Sequence, residues 1–123
     1  MKEFKTFTSF SVGDLEEAKA FYRERLELDE ISLEDQGVLM FHTGGETRFM
    51  VYRKENHVPA DFTVLNFDVE DLDSVVNQLK GNGVSLEKTE HTNDEGIAEM
   101  GSGKAAWTRD PSGNWIGFFE QGF

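Results

Sequence analysis

No cysteine occurs among the 123 residues, which excludes disulfide scaffolds, thiolate zinc sites, iron–sulfur clusters and cysteine nucleophiles. No apolar run approaches the roughly 18 residues that mark a membrane-spanning helix, and Met1-Lys2-Glu3-Phe4-Lys5 lacks the apolar stretch of a signal peptide. A cytoplasmic protein with no membrane partner is the expectation. Positive charge is scarce too: twelve Lys and Arg stand against twenty-four Asp and Glu, a net charge of −12. That sign repels phosphate backbones, so nucleic acid is not an expected partner. It favours solubility and, more sharply, attracts a cationic ligand. Catalytic signatures are missing as well. Gly101-Ser102-Gly103-Lys104 lacks P-loop spacing, so Lys104 reads as a turn residue, and there is no nucleophile elbow or HExxH helix.

What is present is apolar mass arranged with period. Hydrophobic residues make up 37% of the chain and eleven are Phe, enough to offset the entropy of ordering one domain of this length. Phe4 to Val12 alternates as a half-buried strand, with Phe10 and Val12 on one face and Phe7, Ser9 and Ser11 on the other. Asp14 supplies an N-cap with Glu17 three residues on, and Leu15, Ala18, Phe21, Tyr22 and Leu26 recur at helical spacing. Strands are predicted over Glu30–Glu34, Val38–Thr43 and Arg48–Arg53, with turns at Asp35-Gln36-Gly37 and Gly44-Gly45.

A polar segment, 55–60, ends this unit, and the pattern starts again. Phe62 to Val69 reads as a strand, and Asp71 caps a helix carrying Leu72, Val75, Val76 and Leu79 that Gly81-Asn82-Gly83 stops. Further strands are predicted at Val84–Lys88, Ile97–Met100 with Lys104–Thr108 as its hairpin partner, and Trp115–Gln121 after the turn Asp110-Pro111-Ser112-Gly113-Asn114. Phe10, Val12, Asp14 and Leu15 match Phe67, Val69, Asp71 and Leu72 at one offset. Ile31-Ser32-Leu33-Glu34 answers Val84-Ser85-Leu86-Glu87 at an offset four residues smaller. An internal repeat follows.

The run Phe10-Ser11-Val12-Gly13-Asp14-Leu15-Glu16-Glu17-Ala18-Lys19-Ala20-Phe21-Tyr22 and the closing Asp110-Pro111-Ser112-Gly113-Asn114 resemble the vicinal oxygen chelate superfamily, the glyoxalase, bleomycin-resistance and extradiol dioxygenase group. The resemblance implies an α+β fold of two βαβββ repeats whose curved mixed sheets form a cup-shaped pocket. It implies one glyoxalase-like domain over 1–123, with repeat one about 1–54, a linker at 55–60 and repeat two about 61–123. A homodimer is commonly part of it. Enzymes of the group hold a divalent metal with a His or Gln early and a Glu late in each half, where it acts as a Lewis acid. The matching early positions here are Phe7 and Val64, and the late position in the second half is Gly117. The late strand of the first half offers Arg48, Met50 and Tyr52 without a carboxylate. No metal and no cofactor are therefore expected.

Other donors are sparse. His42 alternates with Met40 toward the cup, where it reads as a base, a ligand-orienting group or simply a hydrogen-bonded strand-end histidine. His57 and His91 fall in polar loops and read as surface residues, and Asp68, Glu99 and Glu120 as solvated strand-end acids. The inward set is Phe7, Ser9, Ser11, Met40, His42, Arg48, Met50, Tyr52, Val64, Asn66, Trp115, Gly117 and Phe119, aromatic with a few polar groups, as a small-molecule site requires. The same side chains would also serve as ordinary core. The leading expectation is metal-independent binding of an aromatic or cationic compound by a homodimer. The alternatives are an enzyme using His42 as base and Arg48 to neutralise an oxyanion, or a domain whose role lies in its dimer surface.

Overall fold

The computed structural model describes residues 1–33 and 36–120. These form two compact units, 1–58 and 59–123, changing over between Val58 and Pro59. In the first unit β1 (Thr8–Val12) leads to α1 (Leu15–Lys19), which opens into a π-helical segment over Ala20–Arg25. The strands β2 (Asp29–Leu33), β3 (Val38–His42) and β4 (Arg48–Arg53) follow. The sheet order is β1-β4-β3-β2, with β1 parallel to β4 and the other pairs antiparallel. In the second unit β5 (Thr63–Val69), α2 (Leu72–Gly81), β6 (Ala98–Met100), β7 (Gly103–Arg109) and β8 (Trp115–Glu120) repeat this plan in the order β5-β8-β7-β6. Each unit is thus βαβββ with a four-stranded mixed sheet.

The helices begin where the sequence signals them. Asp14 Oδ1 accepts from Glu17 N at 3.0 Å and Asp71 Oδ1 from Ser74 N at 3.2 Å, each satisfying an otherwise orphaned helix N–H. The predicted helix to Leu26 is α-helical only to Lys19, after which Leu26 N reaches back five residues to Phe21 O. The wider turn lets the consecutive Phe21 and Tyr22 both be buried. Tyr22 sits among Phe10, Phe21, Phe41 and Phe49 with ring centroids 5.0–6.1 Å away, and Leu39 and Val51 complete the core on that side of the sheet. In the second unit Leu72, Val76 and Leu79 of α2 are buried, as are Ala106, Thr108, Ile116 and Phe118.

Several predicted elements differ. The first strand starts at Thr8 rather than Phe4, and the strands at Val38 and Ile97 shorten to Val38–His42 and Ala98–Met100. Of the strand and turn predicted at 30–37, Glu34 and Asp35 lie outside the described residues, as does Gln121 of the last strand. Val84–Lys88 forms no strand. It runs beside β7 with one backbone bond, Glu87 N to Trp107 O, and one from Thr108 Oγ1 to Ser85 O. The rest of that β7 edge pairs with β6. The sequence match of Ile31–Glu34 to Val84–Glu87 is therefore not a match of strands, since β6 holds the place that β2 holds in the first unit. Lys104 lies within β7, not a turn, with Nζ 3.1 Å from Asp73 Oδ2. That carboxylate holds its ammonium above the usual lysine range.

Candidate functional site

Each sheet buries one face under its helix, so strand alternation decides which side chains the opposite face presents. In the first unit, register sets them in cross-strand rows. His42 has Asp29 on one side and Arg48 on the other, Met40 stands between Ile31 and Met50 with Ser9 beyond, and Tyr52 lies between Val38 and Ser11. Phe7 sits just before β1, and the Arg48 guanidinium lies 5.2 Å from its ring centroid. His57, expected on the surface, instead folds back so that Nδ1 is 2.7 Å from Ser11 Oγ in a part-buried contact. His91 does lie exposed, beside Glu90.

In the second unit Asn66 stands opposite Gly117 and Asp68 opposite Phe119 on β8, whose other neighbour β7 sets Trp107 against Gly117 and Arg109 against Trp115. A hollow of about 390 Å³ opens here, lined by Asn66, Phe67, Asp68 and Phe119. Phe119 meets Trp107 edge to face at 5.8 Å. Trp115 is already covered by the Arg109 guanidinium, 4.2 Å from its ring and held by Glu87 at 2.6 Å, so its stacking surface is partly engaged. Asp68 is exposed and makes no hydrogen bond or ion pair among the described residues. Glu120, read as solvated, instead accepts from Leu72 N at 3.0 Å and helps to cap α2.

Val64 was expected to face the ligand. A bulge between Thr63 and Leu65 makes it the extra residue and puts Thr63 opposite Trp115, which shifts the facing set by one position. Thr63, Trp107 and Asp68 are the residues that sequence reading left out of the site. Only the pairing of Trp107 with Gly117, and the bulge, reveal the first two, whereas Asp68 shares the parity of Asn66.

The metal implied by the family resemblance finds no fit in these residues. Phe7, Val64 and Gly117 carry no donor atom, and no three His, Asp or Glu side chains gather into a metal-holding group among the described residues. The room beside Gly117 is taken as well. A Cβ added there would lie 2.6 Å from Asn66 Oδ1, 2.8 Å from Phe119 Cε2 and 3.3 Å from Thr63 Cγ2.

Comparison with known proteins agrees with this architecture. The model of the glyoxalase/bleomycin resistance protein/dioxygenase superfamily matches residues 6–118. Among solved structures, a Bacillus anthracis protein described as of the glyoxalase family has 23% identity and a TM-score of 0.74 over 97% of this chain and 98% of that one. A glyoxalase/bleomycin resistance protein from Streptomyces sp. CB03234 has 25% identity and a TM-score of 0.67, covering 91% and 96%. A fosfomycin resistance protein from Listeria monocytogenes, solved as a mutant with manganese and a dihydroxypropylphosphonic acid, has 14% identity and a TM-score of 0.72, covering 98% and 91%. A search of curated proteins finds no match.

Proposed function

Since the chain belongs to the glyoxalase/bleomycin resistance protein/dioxygenase superfamily, we propose that it binds a small planar cation without a metal, on the helix-free face of its second unit. The observation that carries this is the hollow beside Phe119, lined by an aromatic ring, an amide and the Asp68 carboxylate, which has no described partner. A ring packed on Phe119 gains apolar burial, and a cation over it gains about 0.5–2 kcal/mol depending on desolvation. Asn66 supplies both a donor and an acceptor to fix orientation. The net charge of −12 supports the reading through long-range attraction. Phe7, Val64 and Gly117 at the early and late positions support the metal-free part, because binding needs only affinity whereas Lewis-acid chemistry needs ligands.

The test is fluorescence titration of the chain with proflavine, a planar monocation, alongside metal content by mass spectrometry of protein purified without chelator. Saturable binding that weakens about three- to tenfold in Asp68→Asn, and further in Phe119→Ala, is expected. Stoichiometric bound metal, or proflavine affinity unchanged in both variants, would overturn the reading.

The row Asp29, His42, Arg48 favours a second reading. An imidazole flanked by a carboxylate and a guanidinium has the parts for proton abstraction from a small carbonyl compound, with Arg48 neutralising the developing oxyanion. Turnover lost in both His42→Ala and Arg48→Met, with folding intact, would favour it over simple binding.

A further inference from the structure

On the other side of the first sheet, the geometry points to a second binding site, for a small α-amino zwitterion, in the hollow between the π-helical segment and the start of β2. This hollow of about 630 Å³ is lined by Lys19, Arg23, Glu27, Leu28, Asp29 and Glu30. Three independent features converge on it.

The first is an acceptor without a donor. The Glu30 side chain is only 9% exposed, and both neighbouring cations address the same oxygen, Arg23 Nη1 at 3.3 Å and Lys19 Nζ at 3.7 Å from Oε1. Oε2 is buried and accepts no hydrogen bond from any described residue. Enclosed carboxylate oxygens are almost always satisfied, so this one calls for an N–H or O–H donor. The long Lys19 and Arg23 side chains lie beside this carboxylate, the second 59% exposed, and a ligand can displace it.

The second is the helix itself. The π-helical turns over Ala20–Arg25 are a rare form found often at functional sites, and this one carries Arg23. Arg23 makes a single long contact through Nη1, leaving most of its five donors for an anion. The third is Glu27, which closes the helix at φ 58, in the left-handed region where Gly is the usual choice. Glu27 is one of the residues that line the hollow.

The lining therefore offers guanidinium and carboxylate within one contact distance, matching the short separation of carboxylate and ammonium in an α-amino acid. The ligand carboxylate takes Arg23, its ammonium donates to Glu30 Oε2, and Leu28 gives an apolar wall for its side chain. The ammonium must carry N–H, because a quaternary nitrogen cannot satisfy Oε2.

The experiment is a heteronuclear NMR titration of the full chain with L-leucine, N,N,N-trimethylglycine, acetate and methylammonium. Saturable shifts with L-leucine at the amides of residues 19–30, at least tenfold weaker with the other three and in Arg23→Gln and Glu30→Gln, are expected. Absence of saturable shifts with L-leucine, equal affinity for trimethylglycine, or shifts centred on Asn66, Asp68 and Phe119 would each overturn the site. If Glu30→Gln loses its folded spectrum, the wild-type contrast between L-leucine and trimethylglycine decides by itself.

Discussion

Gly117 shows how one missing side chain can shape a site. Its neighbours Asn66 and Phe119 fill the place where a Cβ would stand, at 2.6 and 2.8 Å, distances no real contact sustains. Gly117→Ala must push both aside, and overpacking of this kind costs about 1–3 kcal/mol. Urea denaturation is expected to show that loss, and proflavine binding is expected to weaken with it, because both displaced groups line the hollow. Asp110 carries a different load. It is 4% exposed, and it accepts from Ser112 N, Asn114 N and Asn114 Nδ2 at 2.9–3.0 Å. Asp110→Ala leaves these donors facing a void, and a destabilisation of about 2–4 kcal/mol in the same assay is expected. The resemblance motif Asp110–Asn114 is thus a folding device, the turn that presents β8.

At the level of elements, the two helices are anchored by equivalent caps but differ inside. Asp14→Ala and Asp71→Ala each remove one cap bond, and each is expected to lower stability by about 1 kcal/mol. The first helix owes its position to rings. Phe49, 1% exposed, stacks on Phe10 and Phe41 and meets Tyr22 edge-on, so Phe49→Ala is expected to cost about 3–5 kcal/mol, read as a lower urea midpoint. The strands were legible from period-2 alternation wherever one face is buried, as in Phe10 and Val12 of β1 or Phe49 and Val51 of β4. Legibility failed at Val84–Lys88, where β-rich composition meets an edge already shared with β6. It failed at Val64 too, because composition carries no mark of a bulge.

For the molecule as a whole, charge is what matters. With a net charge of −12, attraction of a cation is screened as salt shortens the Debye length from about 10 Å at 0.1 M to about 3 Å at 1 M. Proflavine affinity is expected to fall several-fold across that range, whereas a purely apolar site would hold or gain. We propose that two copies of the chain pair, for which light scattering is expected to give twice the 14.0 kDa chain mass. No helix among the described residues is long and apolar enough to cross a membrane.

The sequence by itself determined the repeat, the two capped helices, the alternating strands and the absence of donors at Phe7, Val64 and Gly117. These follow from local chemistry: side-chain period, cap residues and turn residues act over a few neighbours and are written in order along the chain. Tertiary structure alone decided that His57 reaches Ser11, that Thr63 replaces Val64 at the site, that Trp107 joins Phe119, and that Glu30 is enclosed beside Lys19 and Arg23. Each of these rests on register or on contact between distant segments. Those are fixed by how whole faces pack, and no window of neighbouring residues encodes them.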